Sequence, residues 1–357
     1  MLSEDDVWEA AKCGNIVSLA ALINAKAAIH AGDESNLTPL HWAARGGHST
    51  AIQMLIDAGV NVNTKDRRKV TPLHLAALYG HAAAAQLLLD NKAIVDVPDN
   101  DGWTALHNAA DRGHAEAAQV LVSAKATVDF KDPQGYTPLH RCAYSGRVDV
   151  VRLLCDANAP LDGMTRSTWT ALHLSAFGGH SAAVQALVDA KAGVDVKAQY
   201  DQTPLDRAAL GGHSAVLQIL VNAKATVDSK DKFNQTPLYR VALGGHTAAM
   251  QVLIDAKADV HIKYRFNETP MHLAAYSGQS ASVQALIDAN AAVDVRQNED
   301  MTPLHLAALC GHSAVAHVLV DAKAGVDVCD RDNETPLHCA AKGGHTDTIR
   351  ALLSRFR

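Results

Sequence analysis

One phrase, Thr-Pro-Leu-His-x-Ala-Ala-x-x-Gly-His, constrains this chain more than anything else in it. It begins at Thr38, Thr71, Thr104, Thr137, Thr170, Thr203, Thr236, Thr269, Thr302 and Thr335, always 33 residues apart and without insertion. A degenerate copy, Asp5 to Gly14, stands one period upstream. Eleven units therefore fill the 357 residues and leave no room for a separate domain. A unit this short cannot bury its own apolar face, so its copies must stack on one another.

Each unit carries the same local signals. Thr suits a helix N-cap, because its hydroxyl can accept from an unpaired backbone N–H. Pro follows in most copies, at the one helical position where a missing N–H costs nothing; Ala105 and Ala171 replace it in two. A small pair such as Ala76-Ala77 lets neighbouring helices approach closely. Gly follows in every unit, from Gly14 to Gly344, and reads as a left-handed helix stop. A second helix comes next, as in Ser181 to Asp189, with apolar residues at i, i+3 and i+4. The remainder, as in Val227 to Gln235, is polar and turn-forming. Helices this short are not stable alone in water.

These residues, repeated at this period, resemble the ankyrin repeat over essentially the whole chain. The resemblance implies an all-α dominated solenoid of about eleven units, each a helix–turn–helix plus a β-hairpin loop projecting as a finger. Residues 1–34 are expected to cap the N-terminal end, 35–331 to form nine internal repeats, and 332–357 to close the stack. The resemblance also implies a concave face, built from finger tips and first helices, that binds other proteins. Its usual Gly after the second helix is replaced here by Lys26, Lys92, Lys125, Lys191, Lys224, Lys257 and Lys323, by Asn158 and Asn290, and kept only at Gly59. If that residue is left-handed, lysine costs roughly 1 kcal/mol relative to glycine.

Composition narrows the function classes. A net charge of −6 argues against bulk nucleic-acid affinity. The six cysteines are scattered, with no C-x-x-C pair, which fits free thiols in a reducing compartment. The N-terminus is acidic and lacks an apolar run, so no signal peptide is expected, and no apolar stretch approaches a membrane span. A cytoplasmic monomer is the expectation, with nuclear residence or secretion into a host cell also compatible.

Nineteen histidines invite a metal or acid–base reading, but sixteen recur in two fixed slots, His41 to His338 and His48 to His345, as scaffold residues do. His30, His261 and His317 make no ligand set. No phosphate loop or nucleophile motif is present, so neither catalysis, metal nor cofactor is expected. The resemblance brings one modification: some asparagines at the place of Asn63 are hydroxylated, whereas most units here hold Asp96, Asp129 or Asp195 instead.

What varies between units is the informative part. Of 16 aromatics, most fall in slots that the resemblance places on the concave surface. Trp103, Tyr136, Trp169, Tyr200, Phe233 and Phe266 flank finger tips, Tyr264 sits at one, and Tyr79, Tyr144, Phe177 and Tyr276 end first helices. Trp42 and Tyr239 are read as following the histidine slot, with Arg141, Arg207 and Arg240 in or beside it. Arg45 and Arg112 close their first helices, and Arg67 and Arg68 form a charged finger suited to an acidic partner. Trp, Tyr and Arg are the usual interface anchors. The expected function is a non-catalytic scaffold or adaptor that binds a protein or extended peptide in its concave groove. Packing of rings between fingers is the bland alternative. A spacer that tethers partners through its ends, and a secreted effector, are the others.

Overall fold

A computed structural model describes residues 4–354, with side chains from Asp6 onward. Among the described residues there are 22 α-helices, most of seven to nine residues, two short 3₁₀ turns and no strand. The helices come in pairs at the sequence period, as in Pro72–Leu78 with Ala82–Asp90. Two compact units result, Met1–Gly193 and Val194–Arg357. Within each, first helices pack on neighbouring first helices and second on second. Each is a solenoid of helix–turn–helix modules, with the Leu and Ala of the repeated phrase in its core: Leu73, Ala76, Ala77 and Leu88 are all buried.

The constant histidines tie this stack together. Thr71 caps Pro72–Leu78 in extended backbone, and its N–H donates to His74 Nδ1 at 3.1 Å. Since Nδ1 accepts, the proton sits on Nε2, which donates to the Trp103 carbonyl of the next finger at 3.0 Å. The second histidine points the other way: His81 Nε2 lies 3.0 Å from the Arg45 carbonyl of the preceding repeat. Gly47 is needed for this contact as well as for its φ of 70°, because a Cβ there would lie 2.5 Å from the His81 ring. Burial holds the capping imidazoles neutral: the pKa values of His107, His140 and His272 fall to about 4, and those of His41, His74 and His305 also drop.

The fingers are tighter than a hairpin of two strands. In the one entering repeat 3, Asp66 Oδ1 accepts from the N–H groups of Arg68 (2.8 Å) and Val70 (2.7 Å), and Lys69 turns left-handed. Successive fingers share single backbone bonds, such as Asn100 N–H to the Arg68 carbonyl at 2.9 Å, and this is too little to make a ladder. Ala198 and Tyr264 replace the accepting Asp in two fingers. There the residue that the carboxylate would have held, Tyr200 or Phe266, is itself left-handed, at φ 65° and 64°.

All the residues after the second helix are left-handed, from Lys26 (φ 58°) to Lys191 (φ 73°) and Lys323 (φ 66°). The cost expected from the sequence is therefore carried in repeat after repeat. Asn63 is a repeat-to-repeat tie, its Oδ1 accepting from Ile94 N–H at 2.8 Å. Asp96 does the same for Thr127, so the two residue types serve one structural purpose.

Candidate functional site

In the first unit, finger tips and first helices of repeats 2 to 5 enclose an open cleft of about 670 Å³. Trp42, Arg45, Arg68, Trp103, Arg112 and Arg141 all line it, on a floor that includes Leu75 and Leu78. Leu75 and Leu78 reach the cleft because they sit on the first-helix face opposite the buried Leu73, Ala76 and Ala77.

The rings and cations interleave. The Arg45 guanidinium lies 5.1 Å from the Trp42 ring and 5.2 Å from that of Tyr79. Arg141 is held between Trp103 (4.3 Å) and Tyr136 (4.4 Å), and it also pairs with the buried carboxylate of Asp132. Arg68 pairs with Asp101 at 2.7 Å. Arg67 is exposed, and its N–H donates to the Ser35 carbonyl at 3.1 Å. Arg112 approaches Asp111 only to 3.8 Å.

A positional rule explains part of this. The residue after the histidine slot reaches back to the second oxygen of its own finger's Asp: Trp42 to Asp33 at 3.2 Å, Arg141 to Asp132, and Arg240 to Asp231. Asn108 holds the same place in repeat 4, but its side chain makes no such bond to Asp99. Asn108 is only 8% exposed, lines the cleft, and its carboxamide has no hydrogen-bond partner among the described residues. The sequence reading passed over Asn108. Its signal was a carboxamide in a slot that holds Trp, Leu, Arg or Cys in the other copies that begin with Thr.

The remaining predicted residues divide. Trp169 and Phe177 meet edge to face at 5.6 Å, and Tyr144 and Tyr276 are exposed at helix ends. In the second unit, Tyr200 lies 5.8 Å from Phe233, and Phe266 carries Arg265 at 5.1 Å. Phe233 and Phe266 are 57% and 56% exposed.

Three readings need correction. Tyr264 is only 6% exposed, and its hydroxyl bonds Thr236 Oγ1 at 2.8 Å, so it packs between neighbouring repeats and is not offered to a partner. Burial pushes its pKa well above the usual tyrosine value, which keeps the phenol neutral. Arg240 has a side chain 9% exposed and spends its charge on Asp206 and Asp231. Tyr239 occupies the histidine slot itself, three residues after the capping Thr236, where its ring meets Tyr264 edge-on at 4.8 Å. Asp206 fills the same slot one repeat earlier and accepts from Thr203 N–H at 2.9 Å.

Among the described residues, the one grouping with metal-ligand character, Asp330, Glu334 and Cys339, is already engaged. Asp330 accepts two backbone N–H groups, and Glu334 pairs with Lys342. Among the described residues no helix is long and apolar enough to cross a membrane.

Comparison with known proteins places this geometry. The family model described as ankyrin repeats (3 copies) matches residues 7–99, 91–165, 159–231, 223–297 and 271–356. No curated protein matches the chain. Among solved structures, the ankyrin repeat domain of human ASB11 is similar at 29% identity and a TM-score of 0.57, covering 62% of this chain and 98% of that one.

Proposed function

Since the chain belongs to the ankyrin-repeat family, we propose that it is a protein-binding scaffold or adaptor whose docking face is the cleft of repeats 2 to 5. Ankyrin repeats are generally non-catalytic protein–protein interaction modules. The observation that carries the reading is the convergence of Trp42, Trp103, Arg45 and Arg68 from separate fingers and helices onto one open cleft. Aromatic and arginine anchors bury much area at low entropic cost and dominate interface energetics. Trp103 and Tyr136 also clamp Arg141, so substituting them tests packing and binding together.

Trp42→Ala with Arg45→Ala is the cleaner probe, because Arg45 is exposed and Trp42 spends one bond on Asp33. Immobilised full-length protein is offered cell extract, and retained proteins are identified for wild type and double variant. Partners specific to wild type should disappear while the thermal midpoint moves by only a few degrees, about 1 kcal/mol. An unchanged set of partners would remove the cleft from the function.

A further inference from the structure

We propose that the cleft takes an extended peptide segment that lays its main chain on Asn108 and one acidic side chain on Arg45. This rests on the protein-binding reading above and names the chemistry of the partner.

Arg45 is the first support. It is stacked between Trp42 and Tyr79, yet no carboxylate lies within ion-pair reach of it among the described residues. A guanidinium clamped by two rings is fixed in plane, and its N–H donors remain free to form a bidentate pair with a carboxylate. Of the other arginines of the cleft, Arg68 is hydrogen-bonded to Asp101 and Arg141 to Asp132, and Arg112 has Asp111 at 3.8 Å.

Asn108 is the second and independent support. The residue is only 8% exposed, and its carboxamide, without a protein partner, is the part left open to the cleft beside Asp99, whose Oδ1 is taken by the N–H groups of Asp101 and Trp103. A carboxamide presents a donor and an acceptor side by side, which match the C=O and N–H of one residue in an extended chain. Leaving such a group unmade in a bound complex is costly, so a partner that satisfies it gains selectively.

The spacing makes the proposal specific. Arg45 and Asn108 stand on first helices two repeats apart, roughly 16–20 Å at ordinary helix–helix separation. About five or six extended residues cover that distance at ~3.3 Å each. A nucleic acid is disfavoured, because Asp66, Asp99 and Asp101 on the cleft wall would face its phosphates.

The test selects peptides of about twelve residues, enough to span the cleft, from a displayed random library on the full-length protein. Selected peptides should share one Asp or Glu, and changing it to Asn or Gln should weaken binding about tenfold. Against Arg45→Gln that peptide change should have almost no effect. N-methylation of one main-chain amide about five or six residues from the acid should weaken wild type but not Asn108→Ala, whose thermal midpoint is checked in parallel. Selected peptides that tolerate loss of their acid, or an acid effect that survives Arg45→Gln, overturn the inference and leave the scaffold reading standing. Peptides that bind the Trp42→Ala/Trp103→Ala variant as well as wild type overturn both. Selection of a nucleic-acid aptamer in place of any peptide also overturns it.

Discussion

In the repeats that begin at Thr38, Thr71, Thr104 and Thr137, a neutral imidazole joins the capping threonine to the carbonyl of the next finger. In those that begin at Thr203 and Thr236, the imidazole is gone. Asp206 takes the threonine N–H and draws Arg240 across from the following repeat, and Tyr239 packs on Tyr264, whose hydroxyl reaches back to Thr236. The two regions meet one requirement, a tie between a helix N-terminus and its neighbour, by different chemistry. The difference teaches that the slots change in sets. Replacing His with Asp or Tyr goes with a new arginine or a new tyrosine from the adjoining module.

The strongest way to test that contrast is to remove the arginine on each side. Arg240→Met leaves Asp206 and Asp231 buried without their shared cation and should cost about 3–5 kcal/mol. Arg141→Met strands only Asp132 and should cost roughly half as much, since its side chain is 20% exposed. Urea denaturation of both variants decides it, and equal losses would end the claim that Arg240 holds a two-carboxylate centre.

Acid should separate the regions next. The buried histidines have folded pKa values below the unfolded value of about 6.5, so the unfolded chain binds more protons. Their stabilisation is therefore complete above pH 6.5 and drains away as pH falls towards 4, where His107 and His140 titrate. Each withholds on the order of 3 kcal/mol at the acid end. Asp206 has the opposite sign, because burial raises its pKa and protonation relieves the penalty. Hydrogen-exchange protection factors at pH 7 and pH 5 should fall further around Thr104 to Ala143 than around Thr203 to Ala242. A uniform fall would contradict the assignment.

A third, smaller effect concerns the fingers. Ala198→Asp restores the carboxylate that accepts two backbone N–H groups elsewhere, and should stabilise by about 1 kcal/mol while releasing Tyr200 from its left-handed backbone. A lower thermal midpoint would mean that something other than the missing acceptor sets this turn. The smallest is at the ends of second helices. Lys125→Gly and Lys191→Gly should each gain about 0.5–1 kcal/mol, and Gly59→Lys should lose as much.

Almost all of the architecture was legible in the sequence, because a strict period with Thr caps and unvarying glycines leaves one solution. The strain at the lysines was legible for the same reason, as a departure at a position of known geometry. The site was legible only by slot. Trp42, Trp103 and Arg68 could be assigned to the inner face, but whether a side chain in such a slot is offered or consumed depends on residues about one period away. Tyr264 is consumed by Thr236 and Tyr239, Arg240 by Asp206, and Arg141 by a ring on either side. Asn108 was missed for the converse reason. A polar side chain looks ordinary until it turns out to make no bond to its expected acceptor, Asp99.

The recurring left-handed lysine has an effect on size. Each added module brings its own share of core and its own strained junction, so the net gain per module stays the same along the array. Copy number is then nearly free to drift thermodynamically.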